Sequence, residues 1–324
     1  ALRVDQISVD PVPPGEGQRY RDGGAEEVLV LVGEQQPGHI DERDRRGRWR
    51  LGDTSHVCRV VVEPVLQTRI AEFDETGDAH DVARRIYDQA NDVLGYDIKA
   101  MSFDNPGDEL NLTRNTQPAL LTHHIACLEV FREKTGGAVQ PAMAAGHSLG
   151  EYSALVAANA LSFETALRLV QTRGALMGEH GEGEMTAFMM AVDEIEPLAK
   201  AFNCAISACN QPMQTVVGGA SGDLEALEAK VAEEFPRKRA IRLKTEGAFH
   251  TFYMDKAADL FREALAGAEM QAPAIKVLSN YTGGFHGADV EEIKERLYLQ
   301  LKHPVMWDAN LMTAFAEGVS KVYE

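Results

Sequence analysis

The chain has 324 residues, of which 44% are hydrophobic and 25% are charged, so it is globular in composition and long enough for about two domains. Its net charge of −18 argues against a nucleic-acid partner. Its four cysteines form neither a CxxC pair nor a His/Cys cluster, which argues against a metal site and a disulfide framework. Without an apolar run of about 18 residues or a signal-peptide layout, we predict a cytoplasmic protein that does not enter a membrane.

The first half of the chain alternates predicted strands and helices after a breaker-rich loop at 10–24. A dense charge run at 41–50 is predicted to be a solvated segment, with a partner-docking loop as the alternative. The predicted strands are 28–32, 60–62 and 141–145, and the predicted helices are 79–95, 117–134, 151–159 and 162–178, the last capped by Ser162.

The pattern changes between residues 184 and 243. Here we predict, in order, a strand at 184–192, a helix at 193–202, strands at 205–210 and 215–219, a helix at 223–235 and a strand at 239–243. This βαββαβ order is typical of a ferredoxin-like unit. Because strand–helix alternation resumes near residue 255, we predict an α/β core with a parallel sheet, interrupted by a small α+β subdomain.

A GxSxG motif at 146–150 carries the clearest chemical signal. A serine on a sharp strand-to-helix turn exposes its hydroxyl, and flanking glycines relieve crowding around it. Ser148 is therefore a predicted nucleophile, with a tight turn capped by serine as the alternative. Of the ten histidines, His147 should point away from Ser148. His250 follows the subdomain where the chain re-enters the core, which favours it as the base over His286 and His303.

Several motifs in the same order resemble the malonyl-CoA:acyl carrier protein transacylases. The stretch GHSLGEYSALVAA at 146–158 resembles the nucleophile motif of that family. Further resemblance, covering about residues 71–324, comes from 94–97 (LGYD), 115–122 (NTQPALLT), 171–177 (QTRGALM), 210–219 (NQPMQTVVGG), 247–251 (GAFHT) and 303–307 (HPVMW).

The resemblance implies ping-pong transfer of a malonyl group through acyl-Ser148, with His250 as base, oriented by a backbone carbonyl near Met306. Malonyl-CoA and an acyl carrier protein would be the partners, in fatty-acid or polyketide synthesis. Coenzyme A would enter only as the substrate thioester, with no permanently bound cofactor and no metal, and the protein would be a monomer. The alternatives are a carrier-protein thioester hydrolase of the same fold and a non-catalytic carrier-binding subunit.

The resemblance also implies a substrate pocket. Arg173 would grip the malonyl carboxylate through two parallel hydrogen bonds, although an isolated arginine on a helix is more often solvated or salt-bridged. Gln117, Met177, Asn210 and Phe249 match positions in the acyl pocket, with core or loop positions as the alternative reading.

The N-terminal part departs from the family pattern, in which a strand leads into a loop of the oxyanion hole. Three segments could replace it: 14–18 (PGEGQ), 28–36 (VLVLVGEQQ) and 60–67 (VVVEPVLQ). Spacing favours the third, with the Leu66 and Leu149 backbone N–H groups as donors. We therefore predict an extension at 1–58, a hydrolase-like core at 59–182 and 247–324, and a ferredoxin-like subdomain at 183–246.

An acidic carrier protein would need a basic surface on this acidic chain. One candidate precedes His250 and consists of Arg237, Lys238, Arg239, Arg242 and Lys244, named here the 237–244 patch. The other is Arg45, Arg46, Arg48 and Arg50, and a solvated face is the alternative for both.

Overall fold

A computed structural model describes the backbone of residues 28–31 and all atoms of residues 81–323. The helices are α1 (Asp81–Leu94), α2 (Ile98–Phe103), α3 (Thr113–Lys134), α4 (Gly150–Ala157), α5 (Phe163–His180), α6 (Val192–Ala201), α7 (Ser221–Glu234), α8 (Asp255–Gly267), α9 (Val290–Lys302) and α10 (Trp307–Ala316). The strands are β1 (Val28–Leu31), β2 (Met143–Ala145), β3 (Glu184–Phe188), β4 (Ala205–Gln211), β5 (Gln214–Gly219), β6 (Ala240–Leu243), β7 (Lys276–Val277) and β8 (Lys321–Tyr323). No helix in these ranges is long and apolar enough to cross a membrane.

The first sheet is parallel, with strand order β7-β2-β1-β8. Its strand β1 pairs Leu29 with Met143 of β2 and with Val322 of β8. This differs from the predicted extension at 1–58, because four of its residues form an inner strand of the core sheet. The physical reason is that a continuous apolar run suits a parallel strand covered on both faces. The protein is thus an α/β protein built on a parallel sheet.

The second sheet is antiparallel, with strand order β4-β5-β3-β6. Its elements follow the βαββαβ order predicted from the sequence, and α6 and α7 pack on it around Phe188, Val217 and Leu224. The largest difference is at β3, which ends at Phe188 because the chain turns into α6 at Val192. The short helix α2 was absent from the sequence prediction.

Close helix packing brings the candidate site residues together. Between α3 and α5, a side chain on Gly174 would place its Cβ 2.6 Å from the Thr113 carbonyl oxygen, so only glycine permits this approach. The contact sets Arg173 on α5 opposite Gln117 on α3. Helix α5 begins at the predicted cap, where the Ser162 hydroxyl accepts the Thr165 N–H at 3.1 Å.

Candidate functional site

Ser148 lies on the turn between β2 and α4. Its backbone has φ +51°, a left-handed conformation that a non-glycine residue adopts only when its surroundings impose it. After Ser148, the amides of Gly150, Glu151 and Tyr152 bond back to carbonyls of the turn. For the Leu149 N–H, no acceptor is found among the described residues, so it is available for an oxyanion. The other predicted donor, Leu66, lies outside the described residues, as do 60–62 and the cluster Arg45, Arg46, Arg48 and Arg50.

His250 contacts Ser148 across 102 residues of sequence. Its Nε2 lies 2.8 Å from Ser148 Oγ, and its Nδ1 lies 2.7 Å from the Gln300 carbonyl oxygen. Because a carbonyl can only accept, Nδ1 carries the proton and Nε2 is left to accept the Ser148 hydroxyl proton. Both residues of the pair have a positive φ, +51° for Ser148 and +60° for His250.

The carbonyl that orients His250 is that of Gln300, not one near Met306 as the resemblance implied. Gln300 lies in the last turn of α9, and the residue four positions later is Pro304. Because proline has no N–H, the Gln300 carbonyl has no helical partner and is free for His250. The Met306 carbonyl instead accepts the Asn310 N–H at 2.9 Å.

The environment of His250 keeps it neutral. Burial, reinforced by the Arg173 guanidinium, lowers the pKa of His250 from 6.5 to about 3. At neutral pH its Nε2 therefore holds a free lone pair. A hydroxyl that donates to such a nitrogen can act as a nucleophile, since the imidazole can receive its proton.

Arg173 is buried, with 1% of its surface exposed. Its Nη1 donates to Gln117 Oε1 at 2.7 Å, and its Nη2 donates to Ser148 Oγ at 3.0 Å and to Gln300 Oε1 at 3.1 Å. Within residues 81–323 all of these acceptors are neutral and none is a carboxylate, and its Nε has no hydrogen-bond partner. Burial lowers the pKa of Arg173, because the charged guanidinium is held away from water. The arrangement can bind an anion placed beside Ser148.

Each predicted pocket residue contacts or adjoins a residue of the site. Gln117 connects Arg173 to Met177, with its Nε2 3.3 Å from the Met177 sulfur. Asn210 Oδ1 lies 2.9 Å from His147 Nε2, so His147 bonds the subdomain and does not compete for Ser148. The half-buried Phe249, which precedes His250 in the chain, packs against two clusters of buried hydrophobic residues, one that contains Met177 and one that contains Met143. Their roles in substrate binding stay predictions.

Four further buried polar residues lie behind Ser148 and were missed by the sequence analysis: Glu151, Asn280, His286 and Gln300. The Asn280 and Gln300 side chains bond the backbone of Ser148, at 2.5 Å and 2.8 Å. Glu151 directly follows the GxSxG motif, and this position next to the nucleophile was the sequence signal for it. No group of three or more His, Cys, Asp or Glu residues in the described part of the chain could hold a metal ion.

The 237–244 patch is less basic than its sequence implies. Lys238 pairs with Glu194 at 3.0 Å, and Arg242 pairs with Glu228 at 2.9 Å and with Glu184. Arg237, Arg239 and Lys244 are exposed. The accessible charge of the patch therefore comes from three exposed cations that flank the edge strand β6.

The chain matches known acyltransferases over most of its length. The family model for the acyl transferase domain matches residues 74–322. The malonyl CoA-acyl carrier protein transacylase of Bacillus subtilis is 37% identical over 251 residues, which cover 75% of this chain and 78% of the relative.

Solved structures give the same result. The acyl-carrier-protein S-malonyltransferase of Burkholderia pseudomallei aligns with TM-score 0.74 and 31% identity, covering 91% of this chain and 88% of that one. A malonyl-transacylase solved in complex with its type II polyketide synthase acyl carrier protein aligns with TM-score 0.72 and 29% identity, covering 92% and 88%. With the family model matching well over half of its residues, the chain belongs to the acyl transferase domain family.

Proposed function

We propose that this protein transfers a malonyl group from coenzyme A to the phosphopantetheine thiol of an acyl carrier protein, for fatty-acid or polyketide synthesis. The observation that carries the proposal is the buried Arg173 guanidinium 3.0 Å from Ser148 Oγ. In a malonyl thioester, one methylene group separates the reacting carbonyl from the carboxylate, so a carboxylate clamp must lie beside the nucleophile. Relatives named as malonyl transacylases support the substrate and the carrier protein.

The proposed reaction has two half-reactions. Ser148 Oγ attacks the thioester carbonyl carbon while its proton passes to His250 Nε2, and the Leu149 N–H stabilises the oxyanion. The C–S bond then breaks, and His250 returns the proton to the sulfur of coenzyme A. In the second half-reaction the carrier thiol gives its proton to His250 and attacks acyl-Ser148, which restores the hydroxyl.

We propose that the fold consists of a core and an inserted subdomain. Residues 183–246 form a ferredoxin-like subdomain, supported by the βαββαβ order and the strand order β4-β5-β3-β6. Of the described residues, 81–182 and 247–323 together with β1 form a hydrolase-like core, supported by the serine turn between the parallel strand β2 and α4. The pocket consists of Gln117, Met177, Asn210 and Phe249, and the protein acts as a cytoplasmic monomer without a bound cofactor.

Labelled malonyl-CoA tests the proposal directly. We expect a malonyl adduct on Ser148 by mass spectrometry, followed by transfer of the label to added holo-carrier protein. The Ser148→Ala variant, which lacks the nucleophile, is the control and should form no adduct. Release of the label to water without transfer would indicate a hydrolase, and absence of an adduct would indicate a binding subunit.

The pH dependence of the first half-reaction follows from the lowered pKa of His250. An imidazole with an ordinary pKa of 6.5 becomes protonated below that pH and loses its base function about tenfold per unit. With a pKa of about 3, His250 stays neutral down to far lower pH. We therefore expect the rate of Ser148 acylation, measured by rapid quench, to be flat from about pH 5 to pH 8. A falling limb centred near 6.5 would contradict this assignment.

The accessible charge of the 237–244 patch is proposed to dock the acidic carrier protein. Reversing Arg237, Arg239 and Lys244 to glutamate should raise the KM for carrier protein about tenfold at low salt, because complementary charge accelerates encounter. Acylation by malonyl-CoA should be unchanged. Reversal of Arg85, Lys134 and Arg168, which are exposed on α1, α3 and α5, is the matched control. An equal effect of both triple variants would indicate net charge and not a docking surface.

A further inference from the structure

A fully buried carboxylate lies behind Ser148 and has no part in the reaction above. Glu151, in the first turn of α4, is 0% exposed. Its Oε1 lies 2.7 Å from Nε2 of the buried His286. Its Oε2 accepts the Asn280 backbone N–H at 3.0 Å and the Gln300 Nε2–H at 3.1 Å. A buried carboxylate is costly unless it is hydrogen-bonded in this way, so these bonds hold the Asn280 and Gln300 segments against α4.

Those two segments in turn hold the backbone of the serine turn. Asn280 Oδ1 accepts the Ser148 N–H at 2.5 Å, and its Nδ2 donates to the Gly146 carbonyl at 2.8 Å. Gln300 Nε2 donates to the Ser148 carbonyl at 2.8 Å. Both backbone polar groups of Ser148 are therefore bonded to side chains from distant parts of the chain. A left-handed residue needs such support, because its conformation is unfavourable by itself.

Gln300 extends this network to the reacting groups. Its carbonyl accepts the His250 Nδ1–H, and its Oε1 accepts from Arg173 Nη2. A displacement of Gln300 would therefore move the base and the serine backbone together, whereas Arg173 would keep its separate bond to Gln117. Glu151 bonds the Nε2 of the same side-chain amide, which sets which way the amide faces.

We propose that the buried Glu151–His286 pair is a positioning unit that fixes the serine turn and the Gln300 amide in reactive geometry. It touches no reacting atom and acts through Asn280 and Gln300. The proposal rests on the assignment of Ser148 as nucleophile. It predicts that weakening the pair slows the chemical step and leaves malonyl-CoA binding nearly unchanged.

Glu151→Gln is the first test, because it keeps the volume of the side chain. The neutral amide has one oxygen instead of two, and its bonds to His286, Asn280 and Gln300 are weaker than the charge-assisted bonds of a carboxylate. We expect kcat to fall by about 10- to 100-fold, as for small displacements of reacting groups, with the KM for malonyl-CoA changed by less than about threefold. The rate at which a small fluorophosphonate modifies Ser148 should fall by the same factor, since it reports serine reactivity without a coenzyme A thioester.

The histidine variants supply a rescue test. His286→Leu removes the donor to Glu151 and should lower both rates as Glu151→Gln does, whereas His286→Gln retains an N–H and should recover most of the loss. Ser153→Ala is the matched control, because Ser153 is equally buried on α4 and bonds His124 at 3.0 Å, away from the serine turn. It should lower the melting temperature without lowering kcat.

Active-site titration distinguishes a lower rate per active site from a smaller number of active sites. Wild-type rates in Glu151→Gln, or a normal rate per titrated site with fewer sites, would overturn the positioning role. Equal rates in His286→Leu and His286→Gln would also overturn it. Failure of the wild-type protein to react at Ser148 would overturn the proposed function and this inference with it.

Discussion

Replacing His250 with alanine is expected to slow acylation of Ser148 by about 10³-fold, the usual scale for losing a general base beside a serine. The structure gives the reason, because Nε2 lies 2.8 Å from Ser148 Oγ and no second imidazole bonds that oxygen among the described residues. The measurement is the rate of malonyl-enzyme formation at saturating malonyl-CoA. The KM should change little, since the imidazole faces the hydroxyl and the Gln300 carbonyl.

A second serine–histidine pair in the same protein provides the control. His124 Nδ1 lies 3.0 Å from Ser153 Oγ, and burial lowers the pKa of His124 to about 3, as it does for His250. Ser153, however, lies inside the regular helix α4, while Ser148 sits on a left-handed turn at the helix start. His124→Gln should therefore leave the acylation rate unchanged. If both histidine variants lose the same activity, burial and not the serine turn explains the loss.

The contrast between these pairs shows what a sequence can reveal about the site. Ser148 was found because the constraint is local: the glycines, the apolar strand and the helix adjoin it. His250 needed its position after the subdomain and the resemblance to a known family. Pro304, four residues after Gln300, was a local indication that the Gln300 carbonyl lacks a helical partner. The family resemblance pointed instead to a carbonyl near Met306.

Long-range pairing accounts for what was missed. Glu151 and His286 are 135 residues apart, and nothing in either local sequence indicates the other. The same holds for β1: its apolar run predicted a strand, but its place between β2 and β8 depends on pairing with residues more than 100 positions away. Local periodicity specifies an element, whereas its neighbours are chosen by packing of the whole chain.

Replacing Arg173 with alanine should lower malonyl transfer by about 3 kcal/mol, or roughly 100-fold, the scale for losing one partner of a buried charge pair. Acetyl transfer from acetyl-CoA should not fall by that factor, because an acetyl group has no carboxylate. The measurement is kcat/KM for both thioesters in both proteins. Arg173→Lys should not restore malonyl transfer, since a single ammonium cannot span Gln117, Gln300 and a carboxylate as the guanidinium fork does.

We expect the loss to be specific for malonyl transfer because no carboxylate of the described residues forms an ion pair with Arg173. The half-buried Arg132 already pairs with Glu129 at 2.6 Å and donates to the Ala157 carbonyl, so Arg132→Ala should leave both transfers unchanged. Arg173 instead hydrogen-bonds only neutral oxygens within residues 81–323. The buried Glu151 carboxylate favours its charge only through space, so the guanidinium can still form an ion pair with a substrate carboxylate. Malonyl and acetyl transfer falling equally in Arg173→Ala would mean that the guanidinium only supports Ser148 and Gln300. A loss confined to malonyl would identify it as the group that selects a carboxylated acyl chain.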